Sequence, residues 1–184
     1  MTTVLFESHA TSLDNDAALA SGHFDVPLSA AGERQARELG ERYRGRHIDE
    51  VFCSDLQRSY RTAELACAGL GIAITRDPRL RECDYGALTR RSRQEVHSQL
   101  IARLEKPFPA GESYRQAADR VKRFLCHVAA DFGGKVILII GHRATQCALE
   151  HWLRQRPLEE VLTAHWQWQP GWTYELDPSR HSWL

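Results

Sequence analysis

The stretch Lys135-Val-Ile-Leu-Ile-Ile-Gly-His-Arg-Ala-Thr145 decides the fold. Val136 to Ile140 form an unbroken apolar run that leads through Gly141 to His142. A run without polar alternation reads as a strand buried on both faces, the mark of a parallel sheet. A polar residue just past such a strand stands at the carboxyl edge, where open α/β sheets bind ligands. The pattern has a counterpart near the start of the chain, where Val4, Leu5 and Phe6 lead through Glu7 and Ser8 to His9. Two histidines that each close a strand, far apart in the chain, can face each other across one pocket.

Working outward, the remaining segments alternate between strand and helix signals. A loop rich in Ser, Asp, Asn and Gly covers Thr11 to Val26. Ser29 precedes AAGERQARELGERYR, and its hydroxyl can cap that helix. Ala36, Leu39 and Tyr43 give the helix one apolar face. VFCS reads as a second strand, Asp55 to Leu70 as a helix stopped by Gly71, and IAIT as a third strand that ends at Asp77-Pro78. The polar segment from Arg81 to Pro109 predicts a helix around Ser92 to Leu104. Gly111-Glu112-Ser113 leads into a helix to about Ala130, and another covers Ala144 to Arg154. WTYEL, within a tail holding Trp166, Trp168, Trp172 and Tyr174, suits an edge strand, with the aromatics closing a core or a dimer contact. This alternation predicts a three-layer α/β/α fold with a mostly parallel sheet covered by helices on both faces. No repeat or linker divides the chain, so one domain over 1–184 is expected, with about 81–110 as a lid-like insertion.

Composition narrows the function classes. Basic and acidic residues balance at 24 each, which argues against nucleic acid or an anionic membrane as general partner. No stretch approaches the ~20 apolar residues of a membrane span, and no signal-peptide pattern opens the chain. The five cysteines are scattered without a CxxC pair and read as reduced thiols, which fits a cytoplasmic protein. Cys147 and His151 stand four apart, but without further ligands nearby they do not make a metal site. No metal and no cofactor is expected, and the chain is expected to be a monomer or homodimer.

Several segments, taken in order, carry a resemblance. His9 followed by SGHFDVPLSAAGERQARELGERYR, then VFCSDLQRSYRTAELA, RLRECDYGAL, PFPAGESYRQAADRV and VILIIGHRAT resemble the successive motifs of the histidine phosphatase, or phosphoglycerate mutase-like, superfamily. The resemblance runs from about Val4 to Ala148 and implies that family's fold. It implies His9 as the nucleophile that forms a phosphohistidine, His142 as a donor to the phosphoryl oxygens, Arg58 as a phosphate-binding arginine and Glu82 as the proton donor. Asn15, Ser21 and Gly22 match loop positions that line the pocket in relatives. The chain departs from the pattern at two places. Ser8-His9-Ala10 replaces Arg-His-Gly, and His142-Arg143 replaces His-Gly, so Ser8 and Arg143 occupy phosphate-contact positions. Strand alternation sends Glu7 and His9 to one face and Ser8 to the other, and leaves open whether Glu7 reaches the site.

The resemblance implies a phosphomonoester hydrolase acting on a small phosphorylated molecule, weakened by loss of the motif arginine. Cys83 follows Glu82 where phosphoglycerate mutases place an arginine, which favours a hydrolase over a mutase. Two other readings fit the same residues. One is an enzyme that reuses His9, His142 and Glu82 for acid–base chemistry on a non-phosphate substrate. The other is a catalytically silent binding protein on the same fold.

Overall fold

The computed structural model describes residues 1–165, 167 and 169–183. Its strands are β1 (Thr2–Ser8), β2 (Glu50–Cys53), β3 (Ile74–Arg76), β4 (Val136–Gly141) and β5 (Trp172–Leu176). Its helices are α1 (Leu13–Asp16), α2 (Ala30–Tyr43), α3 (Gln57–Ala66), α4 (Arg93–His97), α5 (Tyr114–Asp131), α6 (Arg143–Arg154) and α7 (Leu158–Thr163). The strands form one sheet in the order β3-β2-β4-β1-β5. All neighbours run parallel except β5, which pairs antiparallel with β1. The expected α/β architecture is therefore the observed one.

Alternation along each strand builds two cores. Val4, Phe6, Phe52, Ile137 and Ile139 point toward α5, α6 and α7. Leu5, Val51, Cys53, Leu138 and Ile140 point toward α2 and α3. Burial on both faces is why β4 reads as a continuous apolar run. β5 behaves differently because it closes an edge. Trp172, Tyr174 and Leu176 are buried, while Thr173 and Glu175 between them are exposed. Trp172 packs its ring on Phe6, with centroids 5.6 Å apart. Thus two of the tail aromatics belong to the core, as expected, while Trp166 and Trp168 lie outside the described residues.

Ser29 caps α2 by accepting the Gly32 N–H at 3.2 Å. Gly32 is required there, since a Cβ would lie 1.9 Å from the Thr11 carbonyl oxygen. A capping box of Ser113 and Gln116 starts α5.

Some boundaries differ from expectation. The loop over Thr11 to Val26 contains α1, started by a capping box of Ser12 and Asn15. The helix expected over Ser92 to Leu104 is only α4, because the Ser98 hydroxyl turns back onto the Glu95 carbonyl at 2.7 Å. α3 begins at Gln57, since Leu56 is still extended, and ends at Ala66 rather than Leu70. The third strand, Ile74–Arg76, begins two residues later and ends one residue later than the IAIT reading. All five cysteines are free thiols, four of them buried. Among the described residues no helix is long and apolar enough to cross a membrane.

Candidate active site

The site forms where β1 and β4 end side by side. Ser8 stands opposite Gly141, and the His9 N–H donates to the Gly141 carbonyl at 2.9 Å, extending the ladder by one rung. That rung brings the His9 and His142 rings together, with centroids 4.9 Å apart. His9 fronts a cavity of about 1070 Å³, and Ser8, Asn15, Ser21, Gly22, Arg58, Glu82 and Arg143 line the same cavity. His142 is fully buried and stands behind that wall, against His9.

Hydrogen bonding assigns the two rings different roles. His9 Nδ1 lies 2.7 Å from the Ala10 carbonyl oxygen. A carbonyl only accepts, so Nδ1 carries the proton and Nε2 keeps its lone pair. Burial, reinforced by the positive charge of Arg58, lowers the His9 pKa to about 3, against a smaller opposing effect of the Ala10 bond. His142 Nε2 lies 2.6 Å from Ser54 Oγ. That oxygen also accepts the Leu56 N–H at 3.3 Å; a hydroxyl that donates its proton to His142 Nε2 leaves the ring proton on Nδ1. Nδ1 is buried with no hydrogen-bond partner among the described residues. Burial holds His142 well below the usual histidine range, and Arg58 and His9 add to the effect. Both imidazoles are therefore neutral at neutral pH.

The Ser54, Arg58 and Thr62 spacing has a structural reason. Arg58 and Thr62 lie four apart on α3 and share one face, while Ser54 stands in the link between β2 and that helix. Ser54 holds His142, Arg58 lines the cavity, and Thr62 accepts the Ala10 N–H at 3.0 Å while donating to the Arg58 carbonyl at 2.7 Å. Ser59 adds a tie to the Ile140 carbonyl at 2.7 Å. One helix thus fixes the residues that follow β1 and β4. The Arg58 guanidinium is almost completely buried. It donates through Nη1 to Phe24 O at 3.0 Å and through Nη2 to Gly22 O at 2.8 Å.

Glu82 approaches from the other side. Its Oε1 accepts the Cys83 N–H at 2.8 Å and the Ala144 N–H at 3.1 Å, so the carboxylate rests on the start of α6. Asn15 supplies its side chain to the Ser12 N–H at 3.0 Å, and its carbonyl accepts from Arg93 at 3.0 Å. Arg143 turns toward α7, donating to Gln146 and, at 2.8 Å, to the Val161 carbonyl. Glu7 reaches the cavity wall but is tied to α2. Tyr43 Oη donates to it at 2.9 Å and Arg42 at 3.0 Å. Burial raises its pKa, opposed by Arg42 and Tyr43.

No group of three or more His, Cys, Asp or Glu side chains suited to a metal occurs among the described residues. His151, which the sequence set beside Cys147, donates from Nδ1 to Arg156 O at 2.7 Å and accepts from Arg115 at 2.9 Å. Sequence reasoning missed the supporting roles of Ser54, Ser59 and Thr62, although it quoted the pattern that holds them. It also missed His23 and Arg120, whose only signal was position within quoted motifs.

A parallel sheet with two neutral histidines at adjoining strand ends, an arginine beneath and a carboxylate on a helix start defines a family with one architecture. The chain belongs to the histidine phosphatase superfamily, branch 1, whose family model matches residues 5–183. It is 33% identical over 176 residues to the probable phosphoglycerate mutase GpmB of Citrobacter koseri, which covers 84% of this chain and 82% of that one. It is 37% identical over 133 residues to the protein of the same name from Salmonella choleraesuis, over 66% of this chain and 60% of the length of that relative. Among solved structures, YhfR of Bacillus stearothermophilus has the same fold, with a TM-score of 0.84 at 22% identity over 96% of this chain and 92% of that one. The alpha-ribazole phosphatase from Shigella flexneri superposes with a TM-score of 0.77 at 26% identity over 86% of this chain and 83% of that one.

Proposed function

We propose that this chain is a phosphomonoester hydrolase that works through a phosphohistidine on His9. The observation that carries the reading is the His9 tautomer. Its Nδ1–H is committed to the Ala10 carbonyl, and the neutral ring keeps the Nε2 lone pair that attack on phosphorus requires. In the first step Nε2 bonds to phosphorus and the ester P–O bond breaks. Glu82 delivers a proton to the departing oxygen. In the second step Glu82 takes a proton from water, whose oxygen displaces Nε2 and releases inorganic phosphate. Arg58 and the Nδ1–H of His142 hold the phosphoryl oxygens. The orphaned Nδ1 of His142 supports this assignment, because a phosphoryl group on His9 would give it a partner.

The substrate is a small phosphorylated molecule, and the free thiols suit a reducing, cytoplasmic setting. Ser8 leaves one guanidinium fewer than the family pattern holds, and Arg143 is engaged with Gln146 and Val161. Those two observations favour a weakened phosphatase, or reuse of the pocket for acid–base chemistry or binding alone. Turnover of p-nitrophenyl phosphate against a His9→Ala control decides between these readings. Acid-labile phosphate on His9 after rapid quenching is the expected result. Absence of both turnover and label overturns the hydrolase reading.

A further inference from the structure

The Glu82 side chain is held through one oxygen, but its main chain is held more firmly. The Glu82 carbonyl accepts two hydrogen bonds, from His23 Nε2 at 2.8 Å and from Arg120 Nη2 at 3.1 Å. Arg120 is a general fastener of this segment. It also binds the Arg79 carbonyl at 2.8 Å, the Arg81 carbonyl at 3.1 Å and Glu112 at 2.5 Å. His23 differs in where it comes from. It lies on the loop whose carbonyls at Gly22 and Phe24, one on either side of it, are gripped by the Arg58 fork. The loop sits close against the Glu82 segment. Gly22 has φ +53°, and a Cβ on it would lie 3.1 Å from the Tyr85 ring and 3.3 Å from the Cys83 carbonyl oxygen.

We propose that His23 is a positioning residue that registers Glu82 against Arg58, so that the acid and the phosphate-gripping cation move as one unit. The inference rests on reading Glu82 as the proton donor. A carbonyl only accepts, so His23 carries its proton on Nε2 and the bond to Glu82 is a donated one. From Arg58 the connection runs through two carbonyls to the backbone of His23, then through one hydrogen bond to the backbone of Glu82. Misplacing an acid by a fraction of an ångström weakens proton transfer while leaving phosphate binding intact.

Four proteins test this: the parent, His23→Phe, His23→Gln and Glu82→Gln. Phe keeps ring volume without a donor, and Gln returns an N–H close to the Nε2 position. Phenyl phosphate needs a proton on its leaving oxygen, whereas p-nitrophenolate leaves as a stabilised anion. His23→Phe should lose about ten- to a hundredfold in kcat on phenyl phosphate, about threefold or less on p-nitrophenyl phosphate, and little in KM. His23→Gln should recover most of the loss. Equal losses on both esters, with no recovery in Gln, overturn the inference. Glu82→Gln separates the two layers. If it is selective for phenyl phosphate and His23→Phe is not, the positioning role falls and the acid reading stands. If Glu82→Gln is not selective, the acid reading falls and takes the inference with it.

Amide hydrogen exchange reads the same contact without turnover. Ala144 lies in the first turn of α6, where its N–H has no helical partner and depends on Glu82 Oε1. His23→Phe should speed exchange at Ala144 by about tenfold or more, with His23→Gln near the parent. Unchanged protection at Ala144 in His23→Phe overturns the inference even in an inactive protein.

Discussion

The ends of β1 and β4 are neighbours, each closed by a histidine, yet they are built for different work. At the end of β1, His9 fronts the cavity and spends its one N–H on the next carbonyl in its own chain. At the end of β4, His142 is fully buried, fastened through Ser54 to the link after β2, and keeps an Nδ1 with no hydrogen-bond partner among the described residues. The same residue type at the same edge thus fronts the cavity in one place and is anchored behind its wall in the other. The environment, rather than the imidazole, decides which atom is available. Burial keeps both rings neutral, so the difference lies in the hydrogen bonds and not in charge.

The largest expected effect separates the two histidines directly. His9→Ala should reduce p-nitrophenyl phosphate turnover by about a thousandfold or more, because it removes the proposed nucleophile. His142→Ala should reduce kcat by about a hundredfold, the scale of one lost oxyanion donor. Steady-state kinetics on both variants, with circular dichroism to confirm the fold, checks the ranking. Equal losses, or a more active His9→Ala, would break the comparison. Ser54→Ala should have a smaller effect, about tenfold on kcat, by freeing the His142 ring and leaving Nε2 unpaired. No change in that variant would mean that the Ser54 bond does not set the His142 tautomer.

Ser8→Arg tests the β1 end from the opposite direction. An added guanidinium improves catalysis only where negative charge grows in the transition state. We expect a gain of about tenfold or less in kcat/KM, with Ser8→Arg/Ala10→Gly at least as active. No gain in a folded variant would remove Ser8 as the limit on phosphate chemistry.

The smallest effect is a pH dependence. Both histidines have folded-state pKa values below the ordinary 6.5, and His9 lies at about 3. The unfolded chain therefore binds more protons than the folded one between those values. Stability should be full above about pH 6.5 and decline as pH falls toward about 3. His9→Ala should flatten that decline, as read from urea midpoints at successive pH values. Long-range imidazole NMR should show neither ring titrating between about pH 5 and 8.

Much of this was legible in the sequence for a simple reason. Period and burial leave marks in residue type, so β4 with its unbroken Val136 to Ile140 run announces a strand covered on both faces. Ser8, His9 and His142 were legible because strand ends are visible as a change from apolar to polar, whereas Arg58, Glu82, Asn15, Ser21 and Gly22 lie on helices and loops and were legible only through the motifs that hold them. His9, Arg58, Glu82, Asn15, Ser21, Gly22, Ser8 and Arg143 share one cavity. The partners of these residues were not legible. Whether Glu7 turns to His9 or to Tyr43 depends on where α2 docks, and one-dimensional order does not encode that. The short α4 escaped for a related reason. A helix-compatible run was ended by Ser98 bonding back to Glu95, a competition that composition does not decide.

The pairing of β1 also has a consequence for how the protein is made. β1 (Thr2–Ser8) pairs with β4 and β5, both of which lie far downstream. As the chain emerges from the ribosome, the strand that carries His9 has no partner until β4 has been synthesised, and its other edge stays open until β5 arrives. Such long-range pairing must close a large loop before any contact rewards it. β1 precedes both of its partners in the chain and is thus among the last strands to be seated. The α2 and α3 core itself includes Leu5, Leu138 and Ile140, so neither that layer nor the placement of His9 beside His142 is complete until β4 is present.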